Sequence, residues 1–92
     1  MKQGDERVYL VEHYWPGVTD ETFADAAERV RTAAEELARA GARIGFMHWT
    51  LVPEDENAFC VFSAFSAALV AEAYARAGVP FERIVDALEV QR

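Results

Sequence analysis

The stretch that decides the fold is Arg7–Gly17, which reads RVYLVEHYWPG. β-Branched and aromatic residues are frequent in it, and they favour an extended strand. Pro16 and Gly17 end the strand with a turn signal, and Thr19 then precedes two acidic residues, which is typical of a helix start. The stretch therefore predicts a strand that passes through a short turn into a helix.

The rest of the chain continues this pattern of strands and helices. Apolar residues recur at three- and four-residue spacing after Thr19, and Gly41 ends that helix. Ser66 caps a second helix that ends at Gly78, and the acidic turn Pro53–Asn57 joins the two strands between the helices. The predicted strands cover residues 7–15, 43–52, 58–65 and 83–90, and the first predicted helix covers residues 20–40.

This order of elements, β-α-β-β-α-β, is that of the ferredoxin-like sandwich. Right-handed crossovers place both helices on one face of a four-stranded antiparallel sheet, so the fold class is α+β. The length of 92 residues suits one domain and leaves no room for a second. We therefore expect a flexible N-terminal tail over residues 1–6 and a single ferredoxin-like domain over residues 7–92.

The composition indicates that the sheet is covered on both faces. Hydrophobic residues make up 52% of the chain, above the roughly 45–50% of an average domain. A sheet face open to water normally carries polar residues, yet Val8 and Leu10 lie on one face of the first strand while Tyr9 and Val11 lie on the other. The simplest cover for the second face is another copy of the chain, which predicts a homodimer of the dimeric α/β-barrel type. The alternative is a monomer whose bare face is shielded by polar residues and the long side chains of Arg7 or Arg83.

The charge balance limits the kind of partner. Sixteen acidic residues against nine Lys and Arg give a net charge of −7. This charge repels phosphate backbones and anionic lipids, so we expect neither nucleic acid nor a membrane surface as a partner. A metal ion or a small apolar molecule is compatible with it. The sequence contains no Gly-rich phosphate loop, so no nucleotide cofactor is expected.

The expected compartment is the cytoplasm. The start of the chain, MKQGDERVYL, has no signal-peptide pattern, and no apolar run approaches the ~20 residues of a membrane span. Cys60 is the single cysteine, which excludes an intramolecular disulfide.

Four polar side chains stand at even positions within the apolar strands: Glu12, His48, Thr50 and Cys60. Alternation predicts that they share faces with the apolar side chains of Leu10, Phe46 and Phe62, but it leaves open which face is bare. A carboxylate, an imidazole and a thiol are metal-ligand types, and the first two also serve in general acid/base catalysis. Each also has an ordinary structural role, since Glu12 can pair with an arginine, His48 and Cys60 can pack in the core, and Thr50 favours a strand.

Aromatic residues at the end of the first strand form a second candidate cluster. His13, Tyr14 and Trp15 precede the turn, where they either line the mouth of a cavity or plug the helix ends. Tyr74 of the second helix either packs in the core or offers a phenol to a ligand. Together with Thr50, these four residues are the candidates for contact with an organic substrate.

The strand motifs resemble those of a known family. Tyr9–Glu12 (YLVE) is followed by the turn Pro16–Gly17, Met47–Thr50 (MHWT) and Phe59–Phe62 (FCVF) lie on the middle strands, and Gly78–Pro80 (GVP) precedes the last strand. With these motifs the chain, over about residues 8–90, resembles the small nickel-responsive proteins common in actinobacteria.

The resemblance implies a ferredoxin-like dimer that binds nickel or another divalent metal. Glu12, His48 and Cys60 match the polar positions of the family's strand motifs, so the resemblance assigns them as metal ligands. The chain departs from the pattern at two positions: Ala73 stands where the family often has a histidine, and Thr50 replaces its usual serine.

Three functions follow from these observations. The first is a metal-binding, nickel-responsive protein with Glu12, His48 and Cys60 as ligands. The second is a cofactor-independent enzyme, a monooxygenase, isomerase or cyclase, in which His48 or Glu12 moves a proton on an aromatic or polyketide-like substrate in the barrel cavity. The third is a dimeric interaction module without chemistry, which docks through the acidic helix face.

Overall fold

The computed structural model describes residues 6–88, and within them the elements follow the predicted order. The strands are β1 (Arg7–Tyr14), β2 (Ile44–Val52), β3 (Asn57–Ala64) and β4 (Arg83–Ala87), and the helices are α1 (Asp20–Arg39) and α2 (Ala67–Ala77). A 3-10 turn, Pro53–Asp55, joins β2 to β3. The predicted tail over residues 1–6, except for Glu6, and the predicted end of the last strand at residues 89 and 90 lie outside the described residues.

The four strands form one antiparallel sheet in the order β2-β3-β1-β4. Strands β3 and β1 are therefore central, and β2 and β4 form the two edges of the described sheet. This arrangement confirms the predicted α+β ferredoxin-like fold. Neither helix of residues 6–88 combines the length and the apolar character needed to cross a membrane.

Local signals start and end both helices where the sequence predicts. The Thr19 side chain accepts a hydrogen bond from the backbone N–H of Thr22, whose own hydroxyl bonds back to the Thr19 backbone, so that the two residues form a capping box. Ser66 caps α2 through one hydrogen bond, which its side chain accepts from the backbone N–H of Leu69. Gly78 ends α2 with φ 70°, a left-handed conformation that glycine adopts without strain.

The helices cover one face of the sheet and enclose the core. Phe23 and Val30 of α1 and Val70 and Tyr74 of α2 are buried with the strand residues that point toward them. The strand residues in this core are Tyr9, Val11, Ile44, Ala58, Cys60, Phe62 and Ala64.

A β-bulge in β2 changes which side chains share a face. The register shifts between Phe46 and His48, so Met47 is an extra residue without a partner on β3. As a result Phe46 and Trp49 both face the helices: the Phe46 ring lies 5.2 Å from the Phe62 ring, and the Trp49 ring lies 5.2 Å from the Phe23 ring. The prediction that His48 and Thr50 share a face with Phe46 was therefore wrong, because it assumed unbroken alternation.

The opposite face of the sheet carries no helix in the described chain, and we call it the open face. Leu10 of β1 lies at its centre, paired with Val61 of β3 on one side and Val85 of β4 on the other. Phe59 and Val8 extend this apolar surface along the strands. The prediction that both faces of the sheet are apolar is thus confirmed.

Candidate functional site

Glu12 lies on the open face and is held by an arginine from the neighbouring strand. It pairs directly with Arg83 in the β1–β4 register. The Arg83 Nε donates to Glu12 Oε1 at 2.9 Å, and Nη2 donates to Oε2 at 3.1 Å, so the guanidinium contacts both carboxylate oxygens. These hydrogen bonds and the positive charge of Arg83 lower the pKa of Glu12 against the opposing effect of desolvation.

His48 and Thr50 lie on the same face, on the far side of β3. In the β2–β3 register His48 is opposite Val61 and Thr50 is opposite Phe59, and both are exposed. Glu12 is the other neighbour of Phe59. Two strand spacings and an offset of two residues thus separate Glu12 from His48, which puts their Cα atoms about 12 Å apart.

One chain therefore does not bring these two side chains to a single ion. The Glu12 carboxylate turns toward β4, whereas His48 lies on β2 at the opposite edge. Across residues 6–88, no three His, Cys, Asp or Glu side chains are grouped closely enough to hold a metal ion.

Cys60 lies on the other face of the sheet, under the helices. It is fully buried and faces Val11 and Trp49 of the adjacent strands. Burial raises the pKa of its thiol to about 11, so the thiol stays protonated. The structure thus brings Glu12 and His48 to one face of the sheet and separates Cys60 from them.

His13 belongs to a buried hydrogen-bond network that the sequence did not reveal. Its ring is 2% exposed, and Nδ1 lies 3.0 Å from the carbonyl oxygen of Ala58. Because a carbonyl only accepts, Nδ1 donates, and Nε2 then accepts from the Tyr74 hydroxyl at 2.9 Å. Burial lowers the pKa of His13 and raises that of Tyr74, so it favours the neutral form of both side chains.

The aromatic candidates also fall into a buried group and a solvent-accessible group. His13 and Tyr74 lie in the core, and Trp15 packs against it, edge-on to Phe23 at 5.4 Å. Tyr14 is half exposed at the end of β1, where its hydroxyl is 3.5 Å from the Glu56 carboxylate. His13, Trp15 and Tyr74 are therefore packed at the helix-covered side, whereas Tyr14 and Thr50 are solvent-accessible.

Sequence reasoning named Arg83 as a side chain that could shield the bare face of a monomer, but it did not pair Arg83 with Glu12. An arginine partner for Glu12 was foreseen as one structural role, but Arg83 follows Glu12 by 71 residues and nothing near it marks the pairing. The usable signal is the opposite charge at directly paired positions of β1 and β4, which requires the register of the two strands.

Comparison with known proteins places the chain in a family. A structure search matches the crystal structure of SCO4226 from Streptomyces coelicolor A3(2), with a TM-score of 0.76 and 16% sequence identity, over 91% of this chain and 99% of that one. At this identity the likeness shows a shared fold. None of the curated proteins matches. The model of the family described as "Nickel responsive protein SCO4226-like" matches residues 9–86, which confirms the resemblance in the strand motifs, and the chain therefore belongs to this family.

Proposed function

We propose that the protein is a nickel-binding homodimer whose metal site lies on the open face, between two copies of the chain. The observation that carries this proposal is the composition of that face. An apolar centre around Leu10 and Val61 lies between an exposed imidazole, His48, and a carboxylate, Glu12. The family's name, nickel-responsive, supports nickel as the ion.

The donors on the open face suit a borderline divalent ion. Imidazole nitrogen and carboxylate oxygen are both ligands that nickel accepts, and water fills the positions that the protein leaves. Each chain offers His48 and Glu12, about 12 Å apart at Cα, which is too few and too far for one tight site. A second copy of the chain doubles the number of donors.

The apolar centre of the open face supports the second copy. Leu10, Phe59 and Val85 are partly exposed on this face around the buried Val61, and association through the face removes their exposed surface from water. A two-fold symmetric contact sets each residue against the same patch of the other copy. In such a contact, His48 on the edge strand β2 and Glu12 on the central strand β1 both face the open face of the other copy.

Because His13 is buried, a nickel titration is simple to interpret. The chain has two histidines, and both ring nitrogens of His13 are engaged in the core. An imidazole that binds nickel is therefore His48. Protein without an affinity tag is titrated with nickel by calorimetry as wild type and as His48→Ala, with Thr50→Ala as the control on the same strand and face.

We expect His48→Ala to weaken nickel binding by about tenfold or more, a loss of at least ~1.4 kcal/mol of binding free energy. Thr50→Ala is expected to stay within about twofold of wild type. An unchanged affinity in His48→Ala removes the assignment. Sizing at several concentrations gives the second readout, and a protein that elutes as a monomer with nickel bound contradicts the shared site.

The enzyme alternative receives less support from the geometry. Its candidate pocket relied on aromatic side chains, but His13, Trp15 and Tyr74 pack in or against the core on the helix side of the sheet. The open face offers aliphatic residues and Phe59 instead. The donors on this face therefore favour metal binding over recognition of an aromatic substrate.

A further inference from the structure

We propose that Glu56 is a latch that keeps a short strap of chain, Trp15–Val18, closed over the buried pair of His13 and Tyr74. The strap joins β1 to α1, and Glu56 lies between the 3-10 turn and β3. This inference is independent of the proposed function, because none of these residues is a proposed metal ligand.

The strap is a tight turn that leaves one backbone donor free for the latch. The N–H of Val18 donates to the carbonyl oxygen of Trp15 at 3.1 Å, with Pro16 and Gly17 between them. The φ of Gly17 is 77°, and a proline followed by such a glycine is typical of a type II turn. The N–H of Gly17 points out of the turn and donates to Glu56 Oε2 at 2.8 Å.

Glu56 holds the strap with its backbone as well as its side chain. Its carbonyl oxygen accepts from the N–H of Trp15 at 2.9 Å, and its carboxylate accepts from Gly17. Glu56 is also the one residue other than glycine with a positive φ, 55°, among residues 6–88. A residue with a Cβ adopts this left-handed conformation only at a cost in free energy, so it persists where surrounding contacts hold it. The bonds to the strap are such contacts.

The strap covers the buried aromatic cluster with the side chain of Trp15. The Trp15 ring packs edge-on against the rings of His13 and Phe23, at centroid distances of 6.5 and 5.4 Å. Trp15 is partly exposed, whereas the other two rings are buried, so Trp15 lies outermost. When the strap lifts, Trp15 leaves this position and solvent reaches the His13 ring, which accepts its hydrogen bond from Tyr74.

The latch therefore decides whether the chain presents one accessible imidazole or two. With the strap closed, His48 is exposed and His13 is 2% exposed. The strap lies between β1 and α1 and belongs to neither, so it can lift while the sheet and both helices stay formed. Local openings of this kind need less free energy than unfolding of the whole domain.

The test measures how fast the His13 ring reacts with diethyl pyrocarbonate, which acylates accessible neutral imidazoles. Mass spectrometry of peptides reads the two histidines separately, so His48 reports the rate of an exposed ring in the same molecule. Glu56→Gly removes both the carboxylate and the backbone strain, so the turn still forms. Glu56→Gln keeps a side-chain oxygen that accepts from Gly17. Glu54→Ala is the matched control, because it removes the same kind of side chain from the same turn.

We expect the His13 ring to react about tenfold faster in Glu56→Gly than in wild type, because the bond that is lost has a charged acceptor. In Glu56→Gln the rate is expected to stay within about threefold of wild type, and in Glu54→Ala within about twofold. An unchanged His13 rate in Glu56→Gly overturns the proposal. A rise of equal size in Glu54→Ala also overturns it, because the charge of the turn then protects the ring.

Hydrogen exchange of the Val11 backbone amide separates opening of the strap from unfolding of the whole chain. Val11 is fully buried on the central strand β1, so its amide exchanges through global unfolding. In Glu56→Gly we expect this exchange to rise by a smaller factor than the His13 reaction. An equal rise means that Glu56 stabilises the whole fold rather than the strap, and it overturns the proposal.

Discussion

The two faces of the sheet each carry one histidine, and they use the same ring differently. His13 lies under the helices, where Ala58 and Tyr74 occupy both ring nitrogens and burial favours the neutral ring by lowering its pKa. His48 lies on the open face and is exposed, and its ring makes no hydrogen bond within residues 6–88. Burial and hydrogen-bond partners, rather than residue type, therefore separate a structural imidazole from a candidate ligand.

The largest expected effect on stability comes from the loss of the buried His13 ring. His13→Ala leaves a cavity and two unpaired polar groups in the core, so we expect it to lower the free energy of unfolding by about 3–4 kcal/mol. His48→Ala removes an exposed ring and is expected to change it by less than about 0.5 kcal/mol. Urea unfolding at one protein concentration measures both, and similar losses would contradict the assignment.

Removal of the Tyr74 hydroxyl alone tests the hydrogen bond that it donates to His13. Tyr74→Phe keeps the ring but leaves Nε2 of His13 without its donor, so we expect a loss of about 1–2 kcal/mol in the free energy of unfolding. The carbon-13 chemical shifts of the His13 ring report its tautomer, and the proton is expected on Nδ1 in both proteins. A variant as stable as wild type would show that the hydrogen bond contributes nothing.

The pH dependence of stability reports on the burial of His13. The pKa of His13 is lowered from its ordinary value of 6.5 because burial disfavours the charged ring, an effect that the Ala58 bond and the charge of Glu82 only partly oppose. The unfolded chain thus takes up a proton below pH 6.5 before the folded chain does, and the free energy of unfolding falls as the pH drops below 6.5 toward the folded pKa.

Glu12 does not contribute to the pH dependence of stability near pH 6.5. Its pKa is lowered from 4.5 by Arg83, so the contribution of Glu12 is lost only as the pH falls below 4.5. Between pH 6.5 and 4.5 we expect a shallower slope in His13→Gln than in the wild type. A wild-type slope in His13→Gln would assign the pH dependence to other groups.

The smallest expected effect concerns the bulge that puts His48 on the open face. Met47 has no partner on β3, so its deletion joins Phe46 to His48 with unbroken alternation and leaves every other β2 side chain on its present face. We expect the free energy of unfolding to change by about 1 kcal/mol or less. Deletion of Thr50 instead moves Leu51 to the open face and is expected to destabilise the protein far more; equal effects would contradict the bulge.

The fold was predictable because its signals are local. Thr19, Ser66 and Gly78 mark helix ends through their own side chains or backbone freedom, and strand composition marks the sheet. The faces were less predictable, since a bulge without glycine leaves no trace in the alternation around Met47. The extra residue Met47 puts Phe46 and His48 on opposite faces of the sheet.

The candidate site was predictable only in its residue types. Glu12 and His48 stood out as polar side chains in apolar strands, but the separation of Cys60 from them depends on the register of β3 against β1. The Glu12–Arg83 pair joins residues 71 positions apart. Such contacts arise from tertiary structure, so sequence periodicity does not contain them.

The most direct measurement of the central claim is a crystal structure of the untagged protein with nickel, with data collected at the nickel absorption edge. We expect an anomalous peak between the open faces of two copies, with the His48 imidazole among its ligands. Nickel bound within a single copy away from the open face, or copies that associate through another surface, would contradict it.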